Sequence, residues 1–280
     1  MEENAIHKED YEEPVCPFCT PGQKQSIPTG RILEKLDQFF AQDDYAGAER
    51  HLAYWMAEAE ALSDLRGQLT IANEQIGLFR KTDQEEKGLA AIAKALALAE
   101  ELDLTDSVTY GTTLINAATG FKAFGQPEKA LPLYEQARAL YEKWLDPADE
   151  RFGGLYNNMA LTLAALSRFR EAEALYEKAM AVMARQPHGE AEMAITCCNL
   201  ADLAAQELGT EAGEDRIRAY LEKAEALLVS PDLPHDGHYA FVCEKCAPTF
   251  GYYGFFLTEA RLSREARDIY ERSCTVPRLF

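Results

Sequence analysis

The sequence predicts an all-α fold: an array of about six helical hairpins over residues 30–280, preceded by an irregular acidic arm over residues 1–29. Three observations predict it. From about residue 30 onward the chain is nearly all helix formers, with apolar residues three and four apart, the spacing that lines one face of a 3.6-residue helix. No run alternates polar and apolar residues long enough to make a strand. Short breaks rich in Gly, Pro or Asp recur and mark the turns.

Laying these breaks side by side places the hairpins at about 30–62, 66–102, 107–144, 150–185, 190–229 and 238–274. The second helix of each carries one pattern. Ala130, Tyr134 and Ala137 recur 42 residues later as Ala172, Tyr176 and Ala179, and again as Ala266, Tyr270 and Ser273. Variant copies are Ala48, Leu52 and Trp55, then Gly88, Ile92 and Ala95, then Ile217, Leu221 and Ala224. The first helices repeat a small residue at Ala118, Ala160, Ala201 and Gly254. Small side chains let two helices approach closely, and the aromatic or Leu four residues on fills the gap beneath the next hairpin.

The small-x3-aromatic-x2-Ala signature, together with "GQPEKA" and "RFREAEALYEKA" at the turns, resembles the tetratricopeptide repeat, and the 42-residue period resembles its longer, kinesin-light-chain-like variety. The match spans roughly residues 30–275, and segments such as "NEQIGLFRK" and "HYAFVCEKCAPTF" resemble a bacterial family of such repeats. The resemblance implies a right-handed superhelical solenoid with the first helices lining a concave groove, and a non-catalytic scaffold that binds a protein or peptide segment there.

Composition narrows the partners. A hydrophobic fraction of 47% and a charged fraction of 27% are those of a folded chain. Lys and Arg total 28 against 47 Asp and Glu, and the net charge of -19 repels nucleic acid phosphates and anionic membrane surfaces. The N-terminal "MEENAIHKEDYEEPV" lacks the apolar core of a secretory signal. The most apolar helical run is broken by Lys94, Glu100 and Glu101, short of the roughly 18 apolar residues of a membrane span. A cytoplasmic location is expected.

Asn73, Asn116, Asn158 and Asn199 recur at spacings of 43, 42 and 41, near the same turn of four successive first helices. Asn is a poor helix former, so four copies cost about 2 kcal/mol in propensity, which something must offset. Facing the groove, each carboxamide offers donors and an acceptor, the complement of a peptide main chain, and the row would hold an extended segment. Alternatively each Asn bonds the adjacent repeat and fixes the angle between hairpins. Arg80, Lys81 and Lys122 are candidates for reading a ligand's acidic groups or C-terminus, against the simpler reading of solvated charges.

Seven cysteines without an export signal point to thiols or metal thiolates rather than disulfides. "VCPFC" contributes Cys16 and Cys19, and "VCEKC" contributes Cys243 and Cys246. Two such knuckles could complete a tetrahedral zinc site, with His235 and His238 as substitute ligands. An extended arm of this length reaches about 90 Å at 3.3 Å per residue, far enough to bring the pairs together. The competing readings are a redox motif and plain core packing, the latter also expected for Cys197 and Cys198. The aromatic run "FGYYGFFL" (residues 250–257) folds back on its own hairpin, or is covered by the arm or by a second subunit in a homodimer. No G-x-S-x-G, phosphate-cradling glycine loop or H-E-x-x-H occurs, so no enzyme activity is expected.

Overall fold

The structure is a computed structural model that describes residues 26–275. Among the described residues there are twelve α-helices and no strand. The chain divides into two compact units, Met1–Trp144 and Leu145–Phe280. The first holds α1 (Thr29–Ala41), α2 (Tyr45–Ala61), α3 (Leu65–Lys81), α4 (Glu85–Glu101), α5 (Val108–Ala123) and α6 (Pro127–Trp144). The second holds α7 (Arg151–Ala165), α8 (Phe169–Met183), α9 (Glu190–Leu208), α10 (Glu214–Leu228), α11 (Gly237–Tyr252) and α12 (Phe256–Thr275). Consecutive helices pair as hairpins, and among the described residues none is long and apolar enough to cross a membrane.

One turn chemistry ends seven of the helices. Asp43, Ser63, Asp83, Asp103, Gly125, Ser167 and Gly254 all take positive φ, the left-handed conformation that closes a helix C-terminus and that Gly and Asp tolerate best. The residue after each then donates its N–H back to a carbonyl five residues earlier, as in Asp64 to Ala59 (2.8 Å), Gln84 to Phe79 (2.9 Å) and Arg168 to Leu163 (2.9 Å). Asp44 and Asp64 go on to cap the next helix, accepting from Gly47 N (2.7 Å) and Gly67 N (3.0 Å). The Asp-rich breaks in the sequence therefore stop one helix and start the next.

The repeated second-helix residues form the core. In the first unit Ala48, Leu52, Trp55, Ile92, Ala95, Ala130, Tyr134 and Ala137 are at most 2% exposed. Gly88 departs from the usual Ala because Phe124 of the next hairpin packs onto it, and a Cβ there would lie 2.3 Å from that ring. In the second unit Ala172, Tyr176, Ala179, Leu221 and Ala224 are equally buried.

Three expectations need correction. Gly254 is not a small packing residue of a first helix; it lies in the α11–α12 turn at φ +85°, and Ala247, 4% exposed, is the small buried residue of α11. Tyr270 is 36% exposed where Tyr134 and Tyr176 are 0% and 1%, so the third copy of the signature tyrosine is not a core residue. The aromatic run splits: Phe250 is fully buried and tilts against Phe255 at 5.8 Å, while Tyr252, Phe256 and Leu257 stand open to solvent.

Candidate functional site

In the first unit the structure joins two of the four asparagines. Asn73 on α3 and Asn116 on α5 are both half-buried, and Asn116 Nδ2 donates to Asn73 Oδ1 at 2.8 Å. Asn73 Nδ2 in turn donates to the Leu69 carbonyl (2.9 Å) and Thr113 Oγ1 (3.4 Å). Asn73 is thus fixed by its own helix and by the next hairpin, whereas Asn116 keeps Oδ1 and one N–H without a partner among the described residues.

Two cations lie further along the same helices. Arg80, two turns beyond Asn73, is exposed; Lys122, six residues beyond Asn116, is half-buried. Neither forms an ion pair among the described residues. Burial, and then the nearby Arg80 charge, hold the Lys122 ammonium below its ordinary value. Glu74 beside Asn73 is pushed up by burial and by Asp37. Lys81 points elsewhere, over the rings of Tyr45 (5.0 Å) and Phe40 (5.5 Å).

The second unit builds its own rung, with a different residue from the one expected. Asn199 on α9 donates to Asn157 Oδ1 at 3.1 Å, and Thr196 Oγ1 reaches the same oxygen at 3.5 Å. Asn158 instead turns back on its own helix, donating to the Gly154 carbonyl at 3.0 Å. In the tandem Asn157–Asn158, spacings of 42 and 41 residues to Asn199 are both available, and neighbouring helix positions point about 100° apart. Only Asn157 points at α9. One turn beyond Asn199, half-buried Asp202 accepts at 3.0 Å from the hydroxyl of Tyr253, the residue that follows α11. Burial pushes the Asp202 carboxyl up, against the Tyr253 hydrogen bond that favours its anion. Its place at i+3 from Asn199 is the one sequence signal that could have singled it out.

The described cysteines do not gather into a metal centre. Cys243 and Cys246 are fully buried in α11, and Cys197 and Cys198 are buried in α9. The adjacent Cys246 thiol, and then burial, drive the Cys198 thiol up; burial also pushes the Cys197 and Cys243 thiols up to about 11. His235 stacks on Tyr239 at 4.0 Å and His238 pairs with Glu192 at 3.4 Å. Among the described residues no group of three or more potential ligands converges; Cys16 and Cys19, and the course of the arm, lie outside them.

Family models for the tetratricopeptide repeat match residues 67–143 and 154–185, covering the α3–α6 hairpins and the α7–α8 hairpin. Over those residues the chain carries tetratricopeptide repeats. Comparison of this repeat protein with curated sequences gives no match. Among solved structures, it resembles a Podosopora anserina protein described as a kinesin light chain with nearly identical TPR-like repeats, at 16% identity and a TM-score of 0.50, covering 75% of this chain and 98% of that one. A single-residue variant of the same protein gives 16% identity and a TM-score of 0.51 over 75% and 97% of the two chains. BtubC (BKLC) of P. vanneervenii gives 20% identity and a TM-score of 0.49 over 88% and 93%. At these identities the likeness is one of fold: an all-α helical repeat of the kinesin-light-chain-like type.

Proposed function

We propose that this tetratricopeptide-repeat protein is a non-catalytic interaction scaffold in which each unit holds an extended segment of a partner protein along its own first helices. The observation that carries the reading is the pair of asparagine rungs, Asn73–Asn116 and Asn157–Asn199, each bridging two successive first helices while staying half-exposed. The bonds between hairpins fix the carboxamides in place, and the groups left over are the ones a peptide main chain needs: Oδ1 of Asn116 and of Asn199 as acceptors, the remaining N–H groups of Asn116 and Asn157 as donors. Ordering them in advance lowers the entropy cost of binding. Arg80 and Lys122 then favour an acidic group of the segment beside the first rung.

The test is selection from a displayed library of random octapeptides on the purified protein. Enrichment of a sequence class by the native protein, lost in the Asn73→Ala/Asn116→Ala and Asn157→Ala/Asn199→Ala variants at unchanged helicity, supports the scaffold. No enrichment, or enrichment that both variants retain, rejects it.

A further inference from the structure

We propose that Asp202, with Asn199 and Tyr253, forms a subsite on the second unit for the ammonium or guanidinium group of a Lys or Arg side chain. This rests on the scaffold reading and names the chemistry of one residue of the bound segment.

The cluster is rich in acceptors and poor in donors. Asp202 takes a single hydrogen bond, from the neutral Tyr253 hydroxyl at 3.0 Å, and no Lys or Arg forms an ion pair with it among the described residues. Asn199 commits an N–H to Asn157 and leaves Oδ1 open. Residues three apart on a helix share a face, so Asn199 and Asp202 present their side chains from neighbouring positions of α9. A half-buried carboxylate held only by a neutral donor is costly, and a ligand cation would remove that cost. An ammonium brings three donors and a guanidinium five, enough to satisfy both oxygens at once. Tyr252, whose ring meets that of Tyr253 edge-on at 4.9 Å and is 76% exposed, adds a face on which such a cation can rest. The chain's net charge of -19 draws basic segments toward it. The first rung has the opposite surplus, with Arg80 and Lys122 outside any ion pair among the described residues, so the two rungs favour ligand groups of opposite charge.

The probes are Nα-acetyl-arginine methylamide and its neutral isostere Nα-acetyl-citrulline methylamide, titrated into the full chain and followed by NMR at the Asn199 side-chain amide and the Asp202 backbone amide. Arginine is expected to bind about tenfold or more tighter than citrulline, the weight of one charge-assisted hydrogen bond. Asp202→Asn keeps an acceptor for Tyr253 and is expected to bring arginine down to the citrulline value. Equal binding of the two probes, arginine affinity unchanged in Asp202→Asn, or no saturable shift at Asn199 and Asp202 overturns the proposal. Neither probe has an extended main chain, so failure of the octapeptide selection leaves this result standing, and failure here leaves that selection untouched.

Discussion

The signature tyrosine occupies equivalent positions in three second helices, yet its surroundings differ enough to set very different energetic roles. Tyr134 and Tyr176 are 0% and 1% exposed, whereas Tyr270 is 36% exposed. Tyr134 fills its site completely, and its hydroxyl meets Thr119 Oγ1 at 2.8 Å. Truncating a fully buried aromatic to Ala costs about 3–5 kcal/mol from lost transfer energy and the cavity left behind. The Tyr270 hydroxyl reaches only exposed Glu244, at 3.1 Å, a bond worth a few tenths of a kcal/mol in that setting. With part of its ring in water and room for neighbours to relax, Tyr270→Ala should cost about 1 kcal/mol. The assay is urea unfolding of the three Ala variants, each read in the transition of its own unit, with unchanged slope as the check that only native stability has moved. Equal costs at the three positions, or a Tyr270→Ala penalty matching Tyr134→Ala, would refute the idea that burial sets the energetic role of the signature residue.

Other outcomes follow from the same packing. The four buried cysteines of α9 and α11 should resist a thiol reagent at pH 8, since Cys197 and Cys243 at about 11 are almost wholly protonated there; of seven cysteines at most three should react natively, and more than three would contradict their burial. His51 is fully buried with Nε2 3.0 Å from the Ile32 carbonyl, and burial lowers its pKa. The unfolded chain therefore binds the extra proton, so His51's contribution is complete above the unfolded pKa of about 6.5 and is lost as pH falls below it. The His51→Gln variant should show a shallower loss of stability between pH 7 and pH 5 than the native chain, and parallel pH profiles would contradict this. Gly189→Ala places a Cβ 1.9 Å from the Met183 carbonyl oxygen, a backbone atom that cannot step aside, and should cost about 1–3 kcal/mol in thermal or urea unfolding. Gly154→Ala meets nothing within 4 Å on an exposed face of α7 and should stabilise by about 0.5–1 kcal/mol.

Much of the fold is legible in the sequence because its causes are local. Hairpin boundaries follow from Asp, Ser and Gly at the turns, and a residue such as Asp83 or Ser63 can be recognised as a stop without knowing its neighbours in space. The 42-residue recurrence of the Ala and Tyr positions likewise reports packing that each hairpin must repeat. The site is less legible because it depends on direction. Whether Asn157 or Asn158 meets α9 turns on about 100° of helix phase, which one residue of drift in the period erases. Gly254 matches a small-residue pattern in number but serves a turn, since Gly answers both demands. Asp202 does not stand out because a carboxylate in a chain with 47 acids looks solvated until its burial is known. The exposure of Tyr270 is a property of its surroundings, and nothing at residue 270 itself encodes it.

The central claim is that the two asparagine rungs meet the main chain of a bound segment. The direct measurement is NMR of the side-chain amides of Asn73, Asn116, Asn157 and Asn199 while an octapeptide from the library selection is titrated into the protein. Within a rung the two amides should shift and saturate together, with the free N–H groups of Asn116 or Asn157 moving most. Saturable binding that leaves all four amides still, with shifts confined to other surfaces, would contradict the claim.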